Sequence, residues 1–354
     1  MKNLYALSLD QAVQLIATVG TQRTVLLQGH MGCGKSSTLD TLRGMFPDHH
    51  ACYFDCTTKD LGDISIPSLN TDEGYVKYLP NEEFGLHTGK PVILMVDEFG
   101  KANPAVKNAL LRDMLERDRF PEGSIIYATT NLGAEGVGDL LPPHARNRIT
   151  VVEVAKPTAD AMVEFGINDN WDHSVLGFVK DFPQVLQSFQ DVPNPTDNPY
   201  IMHPKEQRAA FITPRSLHSA SDTLKLRDQL DDVTLTAALT GTIGMRGAMD
   251  LMAFVKLSDQ LPSLESIKQD PLNAKVPSSA SAVCMVVYRA LSTIDKDWVD
   301  AWMQYMVRLD KEAQGLFANG IRGNKYTKRG MIMTNKRFTQ WAMDNNYMFA
   351  ADKK

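Results

Sequence analysis

The run Gly29-His30-Met31-Gly32-Cys33-Gly34-Lys35-Ser36, followed by Ser37, fits the spacing G-x-x-x-x-G-K-[ST]. Glycines at these positions let successive backbone N–H groups curl around phosphate oxygens, and a following helix points its positive end at the same charge. In this pattern Lys35 reaches the β and γ phosphates and Ser36 ligates Mg2+, so the chemistry implied is binding of ATP with Mg2+. Cys33 lies inside the loop, where the helix dipole favours a thiolate and hence alkylation. Downstream, Pro91-Val-Ile-Leu-Met-Val96 is an apolar run that ends in Asp97-Glu98. Asp97 is suited to hold Mg2+ through water, and Glu98 to polarise an attacking water as general base. A buried strand with a solvated acidic end is the plain alternative. Asn131 closes a third run, Ser124-Ile-Ile-Tyr-Ala-Thr-Thr-Asn131. Its amide can donate to phosphate and accept from water at once. Arg146 and Arg148 precede a further apolar run and are candidates for an arginine finger, which stabilises transition-state charge through planar, multi-donor contact.

These groups need elements to bring them together. Thr24-Val-Leu-Leu-Gln-Gly-His30 is β-branched and apolar, as a buried parallel strand reads. Strand, glycine loop and helix then follow in the order a P-loop requires. Residues 104–117 place Val106, Leu110 and Met114 on one helical stripe, with Pro104 in the first turn. The composition supports such a scaffold: 354 residues suggest two or three domains, with 43% hydrophobic and 22% charged residues. Charge sums as 37 basic minus 42 acidic, or −5, which excludes a surface that is a nucleic-acid footprint throughout. No run resembles a membrane span or signal peptide, and the four cysteines are too few for a disulfide framework. The expected location is cytoplasmic. His49, His50, Cys52 and Cys56 can be written as a zinc site, but Cys52-Tyr-Phe-Asp-Cys56 reads as a short packed strand and nothing nearby repeats the spacing, so strand packing is the favoured reading.

The P-loop, Asp97-Glu98, Asn131, Arg148 and a later Thr213-Pro214-Arg215 resemble Walker A, Walker B, sensor 1, arginine finger and sensor 2 of an AAA+ ATPase. More narrowly, Asp97-Glu-Phe-Gly-Lys-Ala-Asn-Pro104 and Leu141-Pro-Pro-His-Ala-Arg-Asn-Arg148 resemble the MoxR group, including forms carried by bacteriophages. The resemblance covers roughly residues 1–230. It implies an α/β P-loop NTPase fold of AAA+ type: a parallel sheet flanked by helices (1–156), a small helical lid with sensor 2 (157–240) and a helical C-terminal extension (241–354). It also implies a homo-oligomeric, hexameric ring in a bacterial cell or phage-infected host, acting on a protein substrate or adaptor, with a von Willebrand factor A domain protein as partner. Between the helix that ends near Arg119 and the sensor strand stand only Phe120-Pro-Glu-Gly123, too short for the hairpin MoxR proteins usually carry there.

Other segments leave alternatives open. Residues 57–90 hold short apolar pieces, and Tyr75, Val76 and Tyr78 either make exposed contacts or pack on their own domain; in MoxR-like proteins an insert here projects toward the central channel. Thr213 reads as an N-cap with Pro214 at the first helical position, which sets Arg215 in the first turn as sensor 2 or as a surface arginine. Gly241, Gly244 and Gly247 suit close helix approach or a loop. Trp298, Trp302, Tyr305 and Met306 read as core, although a subunit contact has the same pattern. The basic segment 322–337, with Tyr326, Phe338 and Trp341 interleaved or adjacent, reads as a nucleic-acid surface or as a segment docked on acidic neighbours. The expected activity is ATP-driven remodelling of a partner protein. The alternatives are a helicase loader or DNA translocase, and a slowly hydrolysing, nucleotide-locked scaffold.

Overall fold

The computed structural model describes residues 5–133, 141, 143–323 and 325–349. The chain divides into two compact units, 1–157 and 158–354. The first contains β1 (Ala6–Leu7), α1 (Leu9–Val19), β2 (Val25–Gly29), α2 (Thr38–Met45), β3 (His50–Asp55), β4 (Ser65–Asn70), β5 (Tyr75–Pro80), β6 (Val92–Asp97), α3 (Pro104–Glu116), β7 (Ile125–Thr130), α4 (Pro143–Arg146) and β8 (Thr150–Val154). Six of these strands form one sheet in the order β1-β8-β2-β7-β6-β3, and every pairing in it is parallel.

Burial on both faces explains the unbroken apolar runs. β6 and β7 are buried at every position. Because side chains alternate across a strand, Val92, Leu94 and Val96 enter one core with Val106, Leu110 and Met114 of α3, while Ile93 and Met95 enter the other with Ala12 and Ile16 of α1 and Leu42 of α2. Asn103 caps α3 through the Ala105 N–H, with Pro104 at the tolerated first position. The helix stops at Glu116, three residues short of Arg119, because Arg117 turns left-handed (φ 60°) and its guanidinium donates to the Ser124 carbonyl at 3.3 Å.

β4 and β5 form a separate antiparallel hairpin, pairing Ile66 with Leu79 and Leu69 with Val76. Every residue of β5 is exposed, Tyr75, Val76 and Tyr78 among them, while Tyr78 also lines a recess with Asn108 and Arg112 of α3. A lone two-stranded hairpin is only marginally stable in water. Its base is pinned by a Lys59–Glu83 ion pair at 2.7 Å and by Asn81 Nδ2 donating to the Asp63 carbonyl at 2.9 Å.

The second unit contains α5 (Ala159–Asn168), α6 (His173–Asp181), α7 (Pro214–Lys225), α8 (Asp232–Ser258), α9 (Leu264–Gln269), α10 (Ala280–Thr293), α11 (Val299–Met306), α12 (Lys311–Arg322), α13 (Arg329–Met333) and α14 (Lys336–Asp344). One hydrophobic core runs from Met162 to Trp341, so packing is continuous across position 240. Trp298, Trp302, Tyr305 and Met306 are buried in it. Gly244 sits at φ 80° and kinks α8 where a Cβ would lie 2.8 Å from the Ala210 carbonyl oxygen, and a Cβ on Gly247 would meet Ile212 at 3.1 Å. Close approach is therefore the role of these two glycines, while Gly241 faces open space. Tyr326, Phe338 and Trp341 are buried, which removes them as a platform for base stacking. Two cations of the basic segment are spent on main-chain carbonyls: Arg322 on Met348 at 3.2 Å, and Lys328 on Ser292. No helix among the described residues is long and apolar enough to cross a membrane.

Candidate functional site

The site lies at the carboxyl ends of β2, β6 and β7. After β2, Gly32 (φ 69°) and Gly34 (φ 94°) turn left-handed, a conformation that side-chain-bearing residues rarely adopt. Gly34 leads into a single 3-10 turn, Lys35–Ser37, before α2 begins. Lys35 is buried, and its ammonium donates to the carbonyls of Gly29 (2.8 Å) and His30 (2.7 Å) and to Asn131 Oδ1 (3.0 Å). Ser37 Oγ donates to the Gly34 carbonyl at 2.7 Å and closes the turn.

Successive side chains on a strand point to opposite faces, so Asp97 and Glu98 need a break in the strand to share a site. Glu98 provides it. Its backbone is left-handed (φ 52°), which is uncommon for a non-glycine residue, and its N–H folds back to Asp97 Oδ1 at 3.1 Å. Glu98 then receives Asn131 Nδ2 on both oxygens (3.2 and 3.3 Å) and ion-pairs with Lys101 at 3.0 Å. Asn131 thus joins Lys35 on one side of its amide to Glu98 on the other.

Asp97 is buried among hydroxyls. Thr129 donates to Oδ1, while Ser36 Oγ (3.2 Å) and the Tyr53 hydroxyl (2.9 Å) donate to Oδ2. Burial and then the hydrogen bond to Asp97 push the Tyr53 phenol well above its ordinary pKa, so it stays a donor. Ser36 and Asp97 are hard oxygen donors that converge on one point, the set that suits Mg2+.

Three residues of this cluster were not among those singled out by sequence. Thr129 had a signal, because it lies two positions before Asn131 and so shares its face of β7. Tyr53 had none, since it enters only because β3 pairs beside β6 with Tyr53 opposite Met95. Lys101 follows Glu98 by one short turn, whose shape the sequence does not announce.

The remaining expectations divide. Cys33 is buried, against the expectation of a thiol open to alkylation. Cys52 on β3 and Cys56 in the turn just after it pack into the core beside Phe54, and burial pushes their thiols up to about 11 and about 12, which disfavours the thiolates zinc would need. No group of three or more potential metal-binding His, Cys, Asp or Glu occurs among the described residues. Arg146 Nε donates to the Leu141 carbonyl at 3.0 Å, and Arg148 ion-pairs with Glu116 at 2.9 Å. Both arginines are exposed, and neither guanidinium is bonded to the Lys35, Asp97 or Glu98 side chains. Pro142, within the Leu141–Arg148 motif, lies outside the described residues. Thr213 caps α7 in a capping box with Ser216, and Arg215 stands exposed in the first turn. It belongs to the second unit, whereas the cluster around Lys35 is built within the first.

The first unit is an α/β fold, a six-stranded parallel sheet with a glycine loop between β2 and α2. No protein-family model matches the chain, and no curated sequence matches it. Among solved structures, a candidate ATPase from Cytophaga hutchinsonii is similar over 70% of this chain and 88% of its own, at 12% identity and a TM-score of 0.35. NtrX from Brucella abortus, solved with ADP, is similar over 98% of this chain and 70% of its own, at 15% identity and a TM-score of 0.37.

Proposed function

We propose that this protein is a Mg2+-dependent ATPase of AAA+ type that works as a homo-oligomeric ring, a hexamer, and uses hydrolysis to remodel a partner protein. The observation that carries the reading is the convergence of Ser36 with Asp97 at 3.2 Å, beside an Asn131 amide that bonds both Lys35 and Glu98. Three sequence segments thereby meet at the carboxyl end of the sheet.

In this account the backbone N–H groups around Gly32 and Gly34 cradle the phosphates of ATP, and Lys35 neutralises the β and γ oxygens. Ser36 and Asp97 are the residues that would hold Mg2+, which when bound supplies charge neutralisation of the phosphates. Glu98 accepts a proton from the water that attacks the γ phosphorus, and the bond to the ADP oxygen breaks. Asn131 fixes the Glu98 carboxylate through its Nδ2 and the γ phosphate region through its contact with Lys35. Arg148, with Arg146 as second choice, serves a neighbouring subunit as arginine finger, a reading supported by its exposure. Arg215 acts as sensor 2.

A protein substrate is supported by the β4–β5 hairpin, which exposes Ile66, Leu69, Tyr75, Val76, Tyr78 and Leu79 together. A von Willebrand factor A domain partner and a cytoplasmic setting in a bacterial or phage-infected cell rest on the motif resemblance. The test is binding of a fluorescent ATP analogue by wild type and by Lys35→Ala. Wild type should bind and Lys35→Ala should lose at least about tenfold in affinity. Equal binding by the two would remove the P-loop assignment.

A further inference from the structure

We propose that Tyr53 is a positioning residue for metal binding: its hydroxyl fixes the outer oxygen of Asp97 and thereby sets how tightly the phosphate site holds Mg2+. The inference rests on the Mg-ATP reading above and adds to it a residue that lies outside every motif of that reading.

Tyr53 is not a core residue. On β3 the inward positions are Cys52 and Phe54, both buried, while Tyr53 points to the other face and stays 47% exposed. A ring so placed contributes little to the core. Among the described residues its directed contact is polar, the hydroxyl donating to Asp97 Oδ2 at 2.9 Å across the pair of neighbouring strands.

That contact completes a set. Oδ1 of Asp97 is committed to Thr129 on β7 and to the Glu98 amide, both supplied by the immediate strand ends. Oδ2 is the oxygen that meets Ser36, the other candidate metal ligand. An aspartate carboxylate turns readily about its terminal torsion, which is broad and roughly two-fold. Ser36 also donates to Oδ2, but as a candidate metal ligand it would turn to the ion, and the Tyr53 hydroxyl is then the donor that still fixes the tilt of Oδ2. Groups that orient metal ligands in this way are typically worth 10- to 100-fold in metal affinity.

The experiment uses the full chain and Mn2+ as the probe, followed by electron paramagnetic resonance in the presence of a non-hydrolysable ATP analogue. Tyr53→Phe removes the hydroxyl and keeps the ring. It should raise the Mn2+ dissociation constant about tenfold, while analogue binding in EDTA and the melting temperature stay at wild-type values. Tyr53→Ala should give the same loss. Mn2+ binding by Tyr53→Phe equal to wild type would overturn the proposal, and loss only in Tyr53→Ala would do so too, because ring packing would then be the role. If wild type itself takes up no Mn2+ with the analogue, the Mg-ATP reading fails and this inference falls with it. That outcome is distinct from a wild type that binds and a variant that binds equally well.

Discussion

Arg148 is tethered to Glu116 at 2.9 Å, and both side chains are about half exposed, at 47% and 48%. An exposed pair of this kind contributes about 0 to 1 kcal/mol to stability. Arg148→Ala should therefore fold normally, with a melting temperature within a few degrees of wild type. As a finger acting on a neighbour it should still lose about 1000-fold in turnover. Mixing Arg148→Ala with Glu98→Gln subunits should restore part of the activity, because some interfaces regain both intact groups. The check is turnover across mixing ratios in assemblies shown to contain both subunits, and a flat response would count against action in trans.

Asn131 ties Lys35 to Glu98, so its loss should uncouple binding from chemistry. Asn131→Ala is expected to bind ATP within a few-fold of wild type and to hydrolyse it about 100-fold more slowly. Asn131→Asp should be at least as impaired, since it sets a second carboxylate against Glu98. Single-turnover kinetics beside equilibrium binding separate the two effects. A large affinity loss with unchanged turnover would assign Asn131 to binding alone.

The kink in α8 offers a purely structural test. A Cβ at Gly244 would stand 2.8 Å from the Ala210 carbonyl oxygen, on a backbone at φ 80°. Gly244→Ala should cost about 1–3 kcal/mol, while Gly241→Ala, with nothing within 4 Å, should stabilise by a few tenths or more. Chemical denaturation of the two variants decides the matter.

His173 adds a pH dependence. Burial, first among its causes, lowers its pKa to about 4 from an ordinary value of 6.5, and its Nε2 is bonded to Ser258 Oγ at 2.5 Å. The unfolded chain takes up this proton near pH 6.5, whereas the folded chain resists until near pH 4. Stability from this group is thus complete above pH 6.5 and falls as pH drops toward 4. The loss is about 2 kcal/mol after discounting for the partial exposure of the ring. Denaturation midpoints of wild type should decline from pH 7 to pH 5 more steeply than those of His173→Gln.

The core of the site was legible in the sequence because its chemistry is written in short segments. Gly29–Ser36, Asp97-Glu98 and Asn131 each combine a strand pattern with the residues at its end, and local pattern suffices to place them. The exposed β5 was only half legible: its apolar residues show in Tyr75 and Val76, but whether an apolar face is covered depends on neighbours that sequence does not name. Tyr53 was beyond reach, because its place follows from strand order in the sheet. The aromatic residues near Lys325 and Arg329 left two readings open, a binding surface and a docked segment. Interleaved charges look like a binding stripe, yet Tyr326 spends its hydroxyl on the Leu291 carbonyl at 2.8 Å and its ring on the core.

The central claim is that Glu98, held between Asn131 and Lys101, activates water for attack on ATP. The most direct measurement is steady-state phosphate release by Glu98→Gln against wild type, with ATP affinity determined on the same preparations. The account predicts Mg2+-dependent turnover in wild type and a loss of about 100- to 10,000-fold in the variant, with ATP affinity kept within a few-fold. Turnover by Glu98→Gln equal to that of wild type would contradict it.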